Sequence, residues 1–241
     1  MSRLLYERGH NAPVDGNVSA RLSDRYLLCT PSLVHKARLS PSDIVKVRMT
    51  DGRTVEPAQR ASSEIRMHLV IYGHRPDVSA IIHAHSPSTV GLTVAGVSLE
   101  RPVVPEAVLA LGGVPTVPYA SPTTADVGAA VLGFVHRYNA FVLERHGPVA
   151  LGQSIGEAFV RLEIVEHTAR ITVAALSAGG AQPLPEAETA RLRDMAVQAG
   201  ILRDPDGAPE SLGRAPRAPE DDEALVEALA RKVVEKLREL G

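Results

Sequence analysis

The chain has 241 residues, a formal net charge of −2 at pH 7, 44% hydrophobic residues and 22% charged residues. This length allows one large domain, or a domain of roughly 150–200 residues with an appendage, and the composition is that of a folded protein. The near-zero charge, the 3% aromatic content, the single cysteine and the lack of any long apolar segment favour a cytoplasmic protein with no nucleic-acid partner, no membrane partner and no disulfide framework.

The first 178 residues alternate between strand and helix patterns. Strands are predicted over 18–22, 26–30, 43–49, 78–83, 114–119, 140–143 and 149–151. Helices are predicted over 62–73, 86–95, 124–136 and 155–176. Because strands and helices mix without a strict βαβ rhythm, the pattern predicts a layered α/β domain over residues 1–178.

The composition changes after residue 178. A short helix over 186–199 and a Pro- and Gly-rich linker are predicted within residues 179–219. Residues 220–241 are predicted to form a separate amphipathic helix, a C-terminal helical extension of the α/β domain. Its main apolar residues recur every four positions: Leu225, Leu229, Val233 and Leu237.

Two histidines, His83 and His85, close a predicted apolar strand. Strand side chains two residues apart point to the same face, so both imidazoles can bind one divalent metal. His146 also follows an apolar strand and precedes a glycine turn, which makes it a candidate third ligand. Three histidines with an open position are typical of a catalytic zinc site. Taken alone, the pair is equally consistent with two hydrogen-bonded or surface histidines.

Ser62, Ser63 and Glu64 stand at the start of a predicted helix. On local grounds the favoured interpretation is an N-cap, because a serine before a glutamate satisfies free amides and complements the helix dipole. The functional interpretation is an anion site at the helix N-terminus, with Glu64 beside it as an acid or base.

Two clusters of turn residues end neighbouring predicted strands. The first is D-G-N-V-S, with Gly16 and Asn17, and the second is T-P-S, with Thr30 and Ser32. Such residues are common in turns. Their amide and hydroxyl donors could instead close around a phosphate together with the serines at 62 and 63.

Taken in order, the motifs D-G-N-V-S-A-R, T-P-S, A-S-S-E, H-A-H and H-G make residues 3–178 resemble the class II aldolase/adducin family. The resemblance implies a class II aldolase-like α/β fold with a central, mainly antiparallel sheet flanked by helices. It implies a homotetramer with active sites between subunits. It further implies a zinc-dependent aldolase that cleaves a small phosphorylated sugar, a ketose 1-phosphate of the L-fuculose type, to dihydroxyacetone phosphate and a short aldehyde through a zinc-stabilised enediolate.

The resemblance also implies roles for individual residues. One Zn²⁺ per subunit is bound by His83, His85 and His146, and Glu64 is the catalytic acid/base. Tyr119, in V-P-Y-A, reaches a neighbouring active site and protonates the aldehyde oxygen. The substrate- and phosphate-binding positions are Gly16, Asn17, Thr30, Ser32, Ser62 and Ser63.

One position departs from the family pattern. The family commonly has glycine after T-P-S, where its amide approaches the phosphate, and this chain has Leu33. A leucine is not expected to adopt a positive φ or to leave an unobstructed approach. We therefore expect phosphate recognition to be weakened or displaced, with His35 and Lys36 as candidate compensating residues.

Other functions occur on the same scaffold. A pentulose-phosphate 4-epimerase, a decarboxylase and a dehydratase are the alternatives within the family. Glu64 favours the aldolase modestly, because the epimerases typically have aspartate at that position. Adducin-like binding modules lack the metal ligands, so the three retained histidines favour an enzyme.

The C-terminal helix over 220–241 has two interpretations. It docks on the tetramer or forms a coiled coil, or it resembles an encapsulation peptide that binds a shell protein of a bacterial microcompartment. The second interpretation places the enzyme inside a microcompartment, where a reactive aldehyde product is confined.

Overall fold

The computed structural model describes residues 1–55, 60–121 and 125–202. Residues 203–219 of the predicted linker and the predicted C-terminal helix over 220–241 lie outside the described residues. Within the described ranges, no helix has the length and apolar character needed to cross a membrane.

One sheet forms the centre of the molecule. Its strands are β1 (Asn17–Arg21), β2 (Tyr26–Cys29), β3 (Val45–Arg48), β4 (Ala80–His83), β5 (Thr116–Val117), β6 (Ala140–Leu143) and β7 (Gly147–Gly152). Their order is β3-β2-β1-β4-β7-β6-β5, and every neighbouring pair is antiparallel except β5 and β6. The predicted mainly antiparallel sheet is confirmed, and each predicted strand overlaps an observed one.

Helices flank this sheet, as predicted. They are α1 (Ser2–Glu7), α2 (Ile65–His74), α3 (Pro87–Val94), α4 (Pro105–Leu111), α5 (Ala125–Val135), α6 (Ile155–Ser177) and α7 (Glu186–Gln198). Sequence analysis did not predict α1 and α4. These helices have 6 and 7 residues, too few turns for a helical period to stand out in the sequence.

The central strands are buried on both faces. In β4, Ile81 packs in one cluster with Ile71 of α2 and Val131 of α5, whereas Ile82 packs in a second cluster with Leu162 of α6. All five side chains are fully buried, and each contributes about 1.5–3 kcal/mol of hydrophobic stabilisation. Burial on both faces explains why this strand has an uninterrupted apolar sequence.

A buried carboxylate fixes the segment that follows the histidine pair. Glu166 in α6 accepts hydrogen bonds from the amides of Ser88 (3.2 Å) and Thr89 (3.0 Å) and from the Thr89 hydroxyl (2.8 Å) in the first turn of α3. Burial favours the neutral acid, but these hydrogen bonds outweigh it and lower the pKa of Glu166 below its usual range. Because α3 begins soon after His85, this contact fixes the end of β4.

The chain remains packed beyond residue 178. Helix α7 lies against α4, and its Leu192 and Ala196 are buried. Arg193 Nη2 donates to the carbonyl oxygen of Gly112 at 2.7 Å. The first of the two compact units of the chain therefore extends past the predicted end of the catalytic domain and includes the short helix predicted over 186–199.

Candidate metal centre and active site

Three imidazoles and one carboxylate converge at the carboxyl end of β4. His83 ends that strand and His85 follows it, His146 lies between β6 and β7, and Glu64 directly precedes α2. One ligand atom from each side chain lies within 4.8 Å of all the others. The Nε2 atoms of His83 and His85 are 3.2 Å apart, and Glu64 Oε1 is 3.1 Å from His146 Nε2. The structure thus brings the three predicted metal ligands together with the predicted acid/base.

The donor atoms of this group fit a divalent metal. His83 Nδ1 donates to the Pro148 carbonyl oxygen at 3.0 Å, so its Nε2 presents a lone pair to the group. Burial lowers the pKa of both His83 and His85 to about 4, so both imidazoles are neutral ligands near pH 7. Two nitrogens in a tetrahedral zinc site lie about 3.3 Å apart, close to the 3.2 Å between these two Nε2 atoms.

The group is open to solvent on one side. His83 is fully buried, whereas the side chains of His146 and His85 are 13% and 29% exposed. A metal held by these three imidazoles keeps an accessible coordination position, as a catalytic rather than a structural site requires.

The turn that carries His146 has a strained backbone. Arg145 has a φ of 58° and Gly147 has a φ of 141°. The Arg145 amide donates to Thr93 Oγ1 at 2.9 Å, and a Cβ on Gly147 would lie 2.1 Å from the Ala84 carbonyl oxygen. A non-glycine residue in the left-handed region costs about 1–3 kcal/mol and persists only where its surroundings impose it. Such strain beside converging histidines is typical of a functional turn.

The Glu64 carboxylate is held at both oxygens. Asn17 Nδ2 donates to Oε2 at 2.7 Å, while Oε1 faces His146. Asn17 reaches this position because it pairs with His83 across β1 and β4. Burial favours the neutral acid, but the neighbouring imidazoles outweigh it and lower the pKa of Glu64 well below its usual range. The carboxylate is therefore ionised and can accept a proton.

Three of the predicted substrate-binding residues lie together on two paired segments. The Ser62 amide donates to the Thr30 carbonyl at 3.3 Å, and the Ser32 amide donates to the Arg60 carbonyl at 3.0 Å. The predicted serine N-cap is wrong: α2 begins at Ile65, so Glu64 itself is the N-cap residue and no side chain caps the helix. Ser62 Oγ instead accepts the Glu64 amide at 3.3 Å, just before the helix. Ser63 is exposed on the same segment. The pairing brings the segment that carries Ser62 beside the segment that carries Thr30, while the Glu64 carboxylate stays with the metal group.

The predicted glycine and asparagine of the first cluster lie elsewhere in the site. Gly16 has a φ of 64°, and a Cβ there would lie 2.5 Å from the amide of Asn11. Asn11 Oδ1 in turn accepts the backbone amide of His85 at 3.0 Å. Gly16 therefore makes room for a side chain that orients a metal ligand. The Asn17 side chain contacts Glu64, while the backbone of the next residue, Val18, makes two hydrogen bonds with Thr30.

The expectation for the backbone conformation of Leu33 is wrong, whereas its expected effect on phosphate recognition stays a prediction. Leu33 has a φ of 58°, the left-handed conformation that we did not expect of a leucine, and its side chain is 84% exposed. The conformation costs about 1–2 kcal/mol for a residue with a Cβ. The loop after Ser32 thus follows the backbone path of a glycine despite the substitution, because other contacts impose it.

Tyr119 is separate from the metal group of its own chain. It follows β5, is 58% exposed, and its backbone amide donates to Glu144 Oε2 at 3.0 Å. An exposed phenol at this position is available to another subunit. Its predicted reach into a neighbouring active site stays a prediction.

Sequence analysis missed a buried polar network beneath Glu64. His68 lies one helical turn after Glu64 in α2, and its Nδ1 is 2.7 Å from Ser19 Oγ, which is 2.9 Å from the Tyr72 hydroxyl. Burial lowers the pKa of His68 to about 4. The four-residue spacing from Glu64 was the available signal, but the partner Ser19 is distant in sequence.

Comparisons with known proteins agree with this arrangement. The family model for the class II aldolase and adducin N-terminal domain matches residues 1–173. The chain is 33% identical over 197 residues to 3-oxo-tetronate 4-phosphate decarboxylase of Cupriavidus necator, covering 79% of this chain and 89% of that protein. It is 33% identical over 193 residues to 5-deoxy-D-ribulose 1-phosphate aldolase of Bacillus thuringiensis serovar kurstaki, with the same two coverages. A solved L-fuculose 1-phosphate aldolase superposes with a TM-score of 0.73 at 28% identity, covering 80% of this chain and 91% of that one.

The geometry predicts that the purified protein retains a divalent metal through its histidines. We expect His85→Ala to lose most of the bound metal, measured by elemental analysis after dialysis, because it removes one of three converging nitrogens. His74→Ala is the matched control, since that exposed histidine bonds only to its own helix and packs on His136. Equal metal content in both variants would contradict the site.

Proposed function

Because the chain belongs to the class II aldolase and adducin family, we propose that it is a metal-dependent lyase that breaks a carbon–carbon bond in a small phosphorylated substrate. The observation that carries this proposal is the Glu64 carboxyl group, held by Asn17 beside three converging imidazoles. A carboxylate fixed next to a metal group can move a proton at the reacting carbon.

We propose zinc as the metal, one ion per subunit, held by His83, His85 and His146. Three neutral imidazoles are a common catalytic ligand set for zinc. When bound, the ion supplies a Lewis acid that polarises the substrate carbonyl and stabilises the negative charge that develops on its oxygen. Glu64 is kept for proton transfer, because it belongs to the segment before α2 and is oriented by Asn17.

Two reactions suit this centre, and both leave the same enediolate. In decarboxylation of a 3-oxo-tetronate 4-phosphate, the bond between carbons 1 and 2 breaks, carbon dioxide leaves, and the bonding electrons move toward the 3-oxo group. In retro-aldol cleavage of a ketose 1-phosphate, the bond between carbons 3 and 4 breaks, and its electrons move toward the carbonyl at carbon 2. Each leaves the enediolate of dihydroxyacetone phosphate, which becomes the product when its carbon gains a proton.

The proton steps differ between the two reactions. In decarboxylation, Glu64 takes the proton of the adjacent substrate hydroxyl and returns it to the carbon that carried the carboxylate, and solvent supplies the net proton that the reaction consumes. In retro-aldol cleavage, the departing hydroxyl group loses one proton and the carbon that is left gains one, so the reaction consumes no net proton. The retro-aldol reaction therefore also needs a group at the departing oxygen.

We place decarboxylation of a 3-oxo-tetronate 4-phosphate, or of a close analogue, ahead of the expected fuculose-type aldolase. The curated decarboxylases of this substrate are more similar to the chain than the curated fuculose phosphate aldolase, which supports this order. Retro-aldol cleavage is the second candidate, and the exposed Tyr119 favours it because a phenol could serve the departing oxygen. The substrate end opposite the bond that breaks is assigned to Gly16, Asn17, Thr30, Ser32, Ser62 and Ser63.

Glu64→Gln tests the carboxylate in either reaction. We expect the zinc-loaded variant to lose about 10²–10⁴-fold in kcat, because an amide cannot accept the proton that must reach the carbon. Carbon dioxide and dihydroxyacetone phosphate are measured with a 3-oxo-tetronate 4-phosphate and with a panel of ketose 1-phosphates. Glu188→Gln, on the exposed face of α7, is the control. Wild-type rates in Glu64→Gln with unchanged zinc content would remove Glu64 from this role.

Tyr119→Phe separates the two candidates. If the phenol serves only a departing oxygen, we expect Tyr119→Phe to slow aldehyde release by at least about 10²-fold and to leave the rate of decarboxylation unchanged. Tyr26→Phe, on β2 away from the metal group, controls for loss of a hydroxyl.

We propose a homotetramer in which the Tyr119 phenol comes from a neighbouring subunit. Mixing Tyr119→Phe with Glu64→Gln subunits should then restore part of the aldolase activity. No recovery in verified mixed tetramers would argue against sites shared between subunits.

We also propose that residues 220–241 direct the enzyme to a microcompartment shell. The repeated apolar positions of this segment suit a shell partner, and confinement suits the second candidate reaction, which releases an aldehyde. A fluorescent protein fused to residues 220–241 should form foci when it is expressed with a shell operon. The same fusion with Leu229→Glu and Val233→Glu should be diffuse, and foci from both fusions or from neither would count against targeting.

A further inference from the structure

The loop that follows Ser32 is shaped by a buried lysine. Lys36 is 3% exposed, and its Nζ donates to the carbonyl oxygens of Pro31 at 3.0 Å and Val34 at 3.2 Å. These carbonyls flank Leu33, whose left-handed backbone is not held by side-chain packing because the side chain is 84% exposed. The ammonium therefore fixes a conformation that glycine adopts without a steric cost.

The charge of this lysine is not neutralised by an ion pair in the described part of the chain. Asp15 acts on it electrostatically but lies beyond ion-pair distance, and burial lowers the pKa of Lys36 below its ordinary value. Burial also raises the pKa of the nearby Cys29 thiol to about 11, so this group is neutral near pH 7. A buried cation without a counter-ion is unfavourable, and an anion bound nearby relieves that cost.

The loop offers donors to such an anion. Thr30 and Ser32 carry hydroxyl groups on either side of Pro31. Within residues 1–55, 60–121 and 125–202, the backbone amide of Leu33 has no backbone acceptor, while Ser32 and Leu33 form the centre of a hydrogen-bonded turn. A free amide on a left-handed residue can contribute to a concave surface that binds anions.

We propose that Lys36 is a positioning residue for the anionic end of the substrate. Its ammonium holds Leu33 in the left-handed conformation and places a positive charge behind the loop that receives a phosphate dianion. The proposal rests on the proposed function, because it takes this loop to hold the substrate phosphate. It assigns to a side chain three residues away the work that a glycine does elsewhere in the family.

Four zinc-loaded, full-length proteins test this role: Lys36→Met, Leu33→Gly, the double variant and the control Lys46→Met. Methionine keeps most of the volume of the lysine but removes its charge and donors. The control Lys46→Met removes an equal charge from β3, where the Lys46 ammonium lies over the Tyr26 ring. Thermal unfolding with and without inorganic phosphate gives stability and phosphate affinity from one measurement.

We expect Lys36→Met to lower the unfolding temperature by several degrees and to weaken phosphate binding about ten-fold, which is about 1.4 kcal/mol. Leu33→Gly in the same background should recover the unfolding temperature, because glycine needs no clamp, but should not recover phosphate affinity. Recovery of both would reduce Lys36 to a structural support and overturn the proposal. Phosphate affinity in Lys36→Met equal to that in Lys46→Met would overturn it as well. If Lys36→Met does not fold, the double variant gives the same comparison.

Kinetics supply a second measurement. With a phosphorylated substrate, Lys36→Met should raise KM about ten-fold and leave kcat within a few-fold, because the reacting carbon lies at the metal group. A fall in kcat alone would contradict the assignment. Phosphate binding needs no turnover, so a ten-fold loss of affinity in a protein without lyase activity would support the loop site while contradicting the proposed reaction.

Discussion

The site depends on a contact between two backbones. A Cβ on Gly147 would lie 2.1 Å from the Ala84 carbonyl oxygen, so only glycine allows the turn between β6 and β7 to lie this close to the end of β4. That contact brings His146 to the pair formed by His83 and His85. Hydrogen bonding between β4 and β7 then sets the register, and the Pro148 carbonyl fixes the orientation of His83. The metal group is thus a consequence of strand pairing.

Strain in this region is stabilised from several sides. Arg145 keeps a positive φ because Thr93 accepts its amide, and Thr93 belongs to α3, the helix that Glu166 caps from α6. A long helix on one face of the sheet therefore supports a turn at its edge. The left-handed backbone of Arg145 costs about 1–3 kcal/mol, so it depends on the contact with α3. We therefore expect substitutions at Glu166 to affect the site by changing the position of α3.

The sequence predicts the parts of the site whose signals are local. His83 and His85 share a face because of the strand period, and Glu64 stands at a helix start that its neighbours mark. Contacts between distant segments are different. No local pattern indicates that His10 is buried, yet Ser86 and Glu163 meet its two nitrogens at 2.9 and 2.8 Å.

Leu33 shows the same limit for the backbone. Residue preference alone predicts a negative φ for leucine, and that expectation is wrong because Lys36 binds the carbonyls on either side of Leu33. The conformational preference of leucine does not take this contact into account. The loop sequence T-P-S-L-V-H-K gives no sign that its lysine is buried, since buried lysines are rare.

The centre and the two ends of the site have different chemical tasks. In the proposed function, the three histidines would hold the metal beside Glu64 in either reaction, so these residues would not select between carbon dioxide and an aldehyde. The selection is then expected from other groups, with Tyr119 proposed on the side of the leaving group and the loop over Lys36 on the side of the phosphate. Tyr119 is exposed and follows β5 at the sheet edge, whereas Lys36 is buried within its own subunit. In the proposed tetramer, the residues that bind the substrate would therefore belong to one chain, whereas the residue that decides which bond breaks would come from a neighbouring chain.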